Sequence, residues 1–113
     1  MYNAAFGFTQ ELGAERAVII SDTFGRPWRE GLVDVAIGVA GLAPLRDYIG
    51  QTDRAGRELQ VTVMARADQI AAAAGLLMEK DKGQPAVWVE GVAIEGRGTL
   101  RDLLRDPARD LFR

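Results

Sequence analysis

Residues 17–20 (AVII) form an unbroken apolar run that stops at Ser21-Asp22-Thr23. So short a continuous run, mostly β-branched, predicts a strand over residues 17–21 buried on both faces. Gly25 and Pro27 follow at once, so residues 23–31 read as loop. A β-branched stretch predicts a second strand over 33–39, and AVWVEGVAI predicts a third over 86–94. Between them, Val63, Ala67, Ile70, Ala74 and Leu77 recur at alternating steps of four and three, which is one face of a helix. A long helix is therefore expected near 58–79, with 59–64 readable either as its first turns or as a strand leading into it. Its alanine-rich face requires a neighbour that approaches closely. DKGQP then stops it. A short helix is expected over 3–14, ending near Gly13, and Thr99 is placed to cap a short C-terminal helix in TLRDLLRD. Residues 40–56, punctuated by Gly41, Pro44, Gly50 and Gly56, read as irregular. Strands separated by a helix imply an α+β (mixed α/β) fold. At 113 residues the chain suits one domain, 1–113.

Composition removes several kinds of chemistry. The chain has no histidine and no cysteine. Serine–histidine and cysteine–histidine triads are excluded within it, and zinc is an unlikely metal. The missing cysteines suit a cytoplasmic location. Fourteen basic and 16 acidic residues leave a net charge of −2, which argues against a general nucleic-acid or membrane-surface binder. No apolar run approaches the ~20 residues of a membrane span. The opening MYNAAFGFTQELG lacks the basic and apolar regions of a signal peptide, so none is expected.

What remains is oxygen and guanidinium chemistry. Asp22 and Thr23 put a carboxylate and a hydroxyl at the end of the first strand. Hard cations such as Mg²⁺ and Mn²⁺ take oxygen ligands, and Mg²⁺ commonly uses one or two carboxylates plus substrate phosphates. The same residues also suit a simple turn. Arg26 and Arg29 follow, each with a donor fork that matches phosphate or carboxylate, and Pro27 stiffens their spacing. A solvated arginine-rich loop explains them equally well. Trp28 is a stacking face or a core anchor. GVAGL, residues 38–42, matches neither common phosphate-loop pattern, so Gly38 and Gly41 read as packing or turn glycines. Glu79 and Lys80, in MEKDKG, lie where a helix end is ordinarily polar, with nucleotide contact as the alternative.

Longer patterns carry a resemblance. The chain contains SDTFGRPWR, then GLVDVAIGVAGL, then DRAGREL, and later LLMEK, PAVWVEG and DLFR. In these it resembles the GTP-dependent γ-glutamyl ligases of coenzyme F-420 biosynthesis, from residue 17 almost to the end. The resemblance implies an enzyme that attaches L-glutamate to the deazaflavin coenzyme precursor. GTP activates a carboxylate as an acyl phosphate, and Mg²⁺ or Mn²⁺ holds the phosphates. It implies that Asp22 and Thr23 occupy metal-ligand positions.

Family enzymes are much longer, and this chain is similar to their C-terminal half. The resemblance therefore implies a homodimer with an intertwined α+β fold, and a partner of another kind: a separate polypeptide carrying the N-terminal half. Two other readings stand beside the ligase. One is a non-catalytic, dimerising remnant of the same fold, and the other an anion-binding module built on Arg26 and Arg29.

Overall fold

The run that stops at Ser21 forms a strand that does not stop there. It extends through the whole Ser-Asp-Thr segment and beyond. The computed structural model describes residues 3–8, 16–58, 62–79, 81–93 and 96–109. Within these, β1 (Asn3–Phe8), β2 (Arg16–Arg26), β3 (Arg29–Ala40) and β6 (Ala86–Val89) make one sheet in the order β3-β2-β1-β6. β1 and β3 flank β2 in antiparallel fashion, while β6 runs parallel to β1. β4 (Arg46–Asp47) and β5 (Val63–Met64) form a separate antiparallel pair, and α1 (Arg66–Gly75) lies between β5 and β6 in the chain. The α+β class is as expected.

Several boundaries differ from the expectations, each for a physical reason. The expected helix over 3–14 is a strand over Asn3–Phe8, and residues 9–14 lie outside the described ones. Its backbone groups pair with β2 on one side and β6 on the other, and such long-range partners override local preference. The expected loop over 23–31 is a β-hairpin. Pro27 and Trp28 form its two-residue turn between Arg26 and Arg29. Pro27 suits the second position of a turn, and Trp28 takes the third with φ 60°. The ladder then skips from Arg26↔Arg29 to Gly25↔Leu32. Gly31, with φ 85°, absorbs that irregularity. The strand expected over 33–39 is found, and it begins earlier.

The helix expected over 58–79 occupies only Arg66–Gly75. Glu58 bridges Thr52 instead, and Val63–Met64 pairs with Arg46–Asp47, so part of 40–56 is ordered by strand pairing. Of the proposed helix face, Ala67, Ile70 and Ala74 are buried, whereas Val63 and Leu77 are exposed. Ala71 and Met78 complete the buried set. The strand expected over 86–94 ends at Val89, and Ile94 lies outside the described residues. At the C-terminus the expected helix is reduced to 3₁₀ turns at Leu100–Leu103 and Pro107–Arg109. Thr99 does open the first of them: its N–H donates to the Asp102 carboxylate at 3.0 Å.

The core sits between α1 and one face of the sheet. Ala17, Ile19 and Ala36 of the sheet meet Ala67, Ile70, Ala71 and Ala74 of the helix, with Leu42 and Met78 at the ends. Small side chains bring the helix close. Gly75 shows how close: a Cβ there would collide with the carboxylate of Asp34 on β3. Gly41, with φ 82°, lies against the main chain of Arg16, where any side chain would overlap the carbonyl oxygen. The opposite face of the sheet has no such cover among the described residues. Burial along β2 alternates accordingly: Ala17, Ile19 and Ser21 are buried, while Ile20 is 42% exposed. The expectation of burial on both faces is thereby corrected. No helix among the described residues is long and apolar enough to cross a membrane.

Candidate functional site

Ser21, Asp22 and Thr23 lie inside β2 rather than beyond its end, so their side chains leave alternate faces. Ser21 and Thr23 share the helix-covered face. Asp22 shares the open face with Ile20 and Phe24. The described pairing of β2 with β1 ends at Asn3↔Ser21, while its pairing with β3 runs on to Arg26. On β3, Asp22 pairs with Val35.

A bulge shapes this region. Ile20 pairs with Gly38 but Ser21 pairs with Ala36, so Ile37 is the extra residue on β3. A bulge interrupts the ladder, and the N–H of Ala36 donates instead to Oδ1 of Asp68, in the first turn of α1, at 2.9 Å. Asp68 is favourably placed there by the helix dipole as well. The bulge and the helix start are thus tied together directly behind the Ser-Asp-Thr segment.

Asp22 is half-buried and turns one oxygen back on its own chain: the Thr23 N–H donates to Oδ1 at 2.8 Å. Its second oxygen accepts no hydrogen bond among the described residues. On the covered face, Thr23 pairs across the ladder with Asp34. The Oδ1 of Asp34 and the Oγ of Ser21 are both buried without a hydrogen-bond partner. Leaving a buried acceptor unsatisfied costs about 1–3 kcal/mol, more for a charged group. These oxygens have the donor chemistry that a hard divalent cation takes. Their arrangement is incomplete for one ion. Among the described residues no three carboxylate, histidine or cysteine side chains are placed to share a metal.

The other expected site residues are spread out. Arg26 and Arg29 face each other at the hairpin tip, four residues from Asp22, or about 13 Å along the strand. Arg26 Nη2 donates to the Glu30 carbonyl at 3.1 Å, across the turn's irregularity. Trp28, between them, is largely exposed and is no core anchor. Glu79 is exposed and pairs with Lys82 at 2.7 Å, while Lys80 lies outside the described residues. Gly38 and Gly41 act in packing and turning, as read. The sequence reading passed over Asp34 and Asp68. A lone carboxylate inside the apolar VDVAIG stretch was the available signal for Asp34. Nothing local marked Asp68, whose partner is 32 residues away.

The comparison with known proteins bears on these positions. A family model described as F420-0:Gamma-glutamyl ligase matches residues 6–91, which hold β2, β3, the hairpin and α1. This chain belongs to that family. It is 50% identical over 105 residues to the Coenzyme F420:L-glutamate ligase of Methanothermobacter thermautotrophicus, covering 89% of this chain and 42% of the relative. The enzyme of the same name from Methanopyrus kandleri is 45% identical over 108 residues, covering 90% of this chain and 43% of the relative. That from Archaeoglobus fulgidus is 46% identical over 102 residues, covering 89% and 41%. The chain therefore spans well under half the length of these F420 ligases.

Proposed function

We propose that this chain is the metal-bearing part of a GTP-dependent ligase that joins L-glutamate to the coenzyme F420 precursor through an amide bond. One observation carries the reading: about nine-tenths of the chain matches proteins named Coenzyme F420:L-glutamate ligase at 45–50% identity. The chemistry is compatible with a chain that has no histidine, because phosphoryl transfer depends on positioning and charge neutralisation. A precursor carboxylate oxygen attacks the γ-phosphorus of GTP, and GDP leaves. The glutamate amine then attacks the acyl phosphate carbon. Phosphate departs, and the amine's proton passes to solvent.

Asp22 and Thr23 are this chain's candidates for holding Mg²⁺ or Mn²⁺. Because their side chains leave opposite faces of β2, Asp22 would supply the side-chain ligand and Thr23 would join the same ion only through its main chain. Bound there, the cation would neutralise phosphate charge. Asp22 offers its unengaged oxygen on the open face. Thr23 lies across the strand, beside Asp34. Arg26 and Arg29, at the far end of the hairpin, suit phosphate or carboxylate oxygens brought by a second chain. Glu79 and Lys80 are the weaker candidates for nucleotide contact. The chain corresponds to the C-terminal part of the longer enzymes. Its partners are then a second copy, in a homodimer, and a separate N-terminal-half polypeptide, with the cytoplasm as the place of action.

The share of length favours a second reading, in which the chain keeps the fold and dimerises without catalysis. Titrating Mn²⁺ and GTP into the chain alone, then with a family N-terminal half added, separates the two. The ligase reading expects weak metal binding alone, glutamate ligation at background alone, and turnover after addition of the half. Background with both halves assembled leaves the remnant reading. Phosphate affinity that needs no metal and disappears in Arg26→Ala and Arg29→Ala would instead favour the anion-binding module.

A further inference from the structure

A second cluster of cationic groups lies away from β2. The β4–β5 pair brings Arg46 opposite Met64, and α1 begins two residues later with Arg66. Between this pair and the loop after β6 is a cavity of about 170 Å³, lined by Ala43, Leu45, Arg46, Tyr48, Arg66 and Ala93. Tyr48 is central to it. The Arg66 Nη2 donates to the Tyr48 hydroxyl at 3.2 Å. The guanidinium carbon of Arg46 lies 4.9 Å from the centre of the Tyr48 ring.

Charge makes the cluster informative. Of the two guanidinium groups that line it, Arg66 is the one whose described surroundings hold no carboxylate partner. Asp47 is the nearest acidic residue in sequence, and it is engaged elsewhere: the Ile49 N–H donates to its Oδ1 at 2.8 Å. Arg66 is half-buried and has only the Tyr48 contact among the described residues. A guanidinium carries five N–H donors, so most of its capacity is unused. Partly burying a cation without a counter-charge is unfavourable, and a bound oxyanion would reverse that. Size narrows the ligand. At roughly 30 Å³ per water, the cavity holds a head group and a few further atoms. It is well short of the roughly 300 Å³ and more of a pocket for a whole drug-sized ligand.

We propose that this cavity is an oxyanion subsite, in which Arg66, with the Tyr48 hydroxyl, takes one carboxylate or phosphoryl head group of a substrate. The choice of ligand rests on the ligase reading, whose substrates carry both kinds of group. The remainder of the substrate lies outside, toward solvent or toward a second chain. Arg66 supplies the planar fork, and Tyr48 holds that fork in place.

The test is direct binding to the whole chain. Inorganic phosphate and L-glutamate are titrated separately at fixed ionic strength with a chloride control. NMR follows the backbone amides and the arginine Nε–H signals. At least one of the two anions is expected to shift the Arg66 Nε–H signal saturably, and the arm that does so identifies the head group. Arg66→Gln should weaken that binding roughly ten- to hundredfold, as loss of a charge-assisted contact implies. Tyr48→Phe should weaken it a few-fold, and exposed Arg54→Gln should leave it unchanged. Arg66→Lys, which keeps the charge and loses the fork, should fall between wild type and Arg66→Gln. It also serves if Arg66→Gln does not fold. The subsite is refuted if neither anion moves Arg66, or if Arg54→Gln weakens binding as much as Arg66→Gln does. Amide formation with both halves present reads the ligase proposal separately. Turnover without an anion effect at Arg66 overturns only the subsite. Saturable anion binding without turnover supports the subsite and overturns only the ligase.

Discussion

The two faces of the four-stranded sheet have opposite surroundings. On one, alanines of α1 lie so close that Gly75 touches Asp34, and buried polar atoms sit behind them. On the other, Ile20 and Phe24 of β2 and Trp88 of β6 remain substantially exposed, with Trp88 at 53%. Asp22 belongs to this second face. One face is thus a finished core, while the other leaves apolar side chains uncovered among the described residues. The difference teaches where the described residues bury their own apolar surface and where they leave it open.

Overfilling the closed face should give the largest effect. Ala71→Leu adds volume at a fully buried position and should destabilise by about 3 kcal/mol. Ile20→Ser, on the open face, should cost far less in denaturant melts of the isolated chain. Similar losses at both positions would break the contrast. Gly75→Ala follows at about 2 kcal/mol, because the new methyl meets the Asp34 carboxylate. Pairing it with Asp34→Ala should recover part of the loss, and additive effects would mean the contact does not limit the helix.

Asp68→Ala should cost about 1–2 kcal/mol by leaving the Ala36 N–H without its acceptor, whereas Asp68→Asn keeps an oxygen and should cost less. Equal losses would show that charge near the helix N-terminus, rather than the bulge contact, is what Asp68 contributes. Ser21→Ala should change stability least, by under about 1 kcal/mol and in either direction, since its buried hydroxyl has no partner to lose. Asp22→Asn should likewise leave the melt unchanged while weakening Mn²⁺ binding, because a formal ligand charge disappears from the open face. Calorimetry showing the same Mn²⁺ affinity in wild type and Asp22→Asn would remove Asp22 from the metal site.

The same contrast explains what was legible in advance. Residues 17–20 signalled their strand because β-branched residues in a short apolar run have few other uses. Ala67, Ile70 and Ala74 signalled their helix face by period, and the alanines correctly required close approach. The hairpin was missed because Gly25 and Pro27 look like breaks, although a turn needs only two residues and an irregular ladder absorbs the rest. β1 was missed because NAAFGF has little strand character of its own, and both its partners are distant in sequence. The Ser-Asp-Thr motif stood out, but its division between two faces did not.

By itself, then, the sequence determined the α+β class, the central strand, the alanine helix face and membership of the F420-0:gamma-glutamyl ligase family. These rest on local period and on residue patterns that survive without coordinates. Only the tertiary structure decided that Asp22 and Thr23 part to opposite sides, that Asp68 answers the bulge, and that Arg46, Tyr48 and Arg66 meet around one cavity. The reason is physical. Alternation along a strand says which residues share a face, but what covers that face depends on elements dozens of residues away.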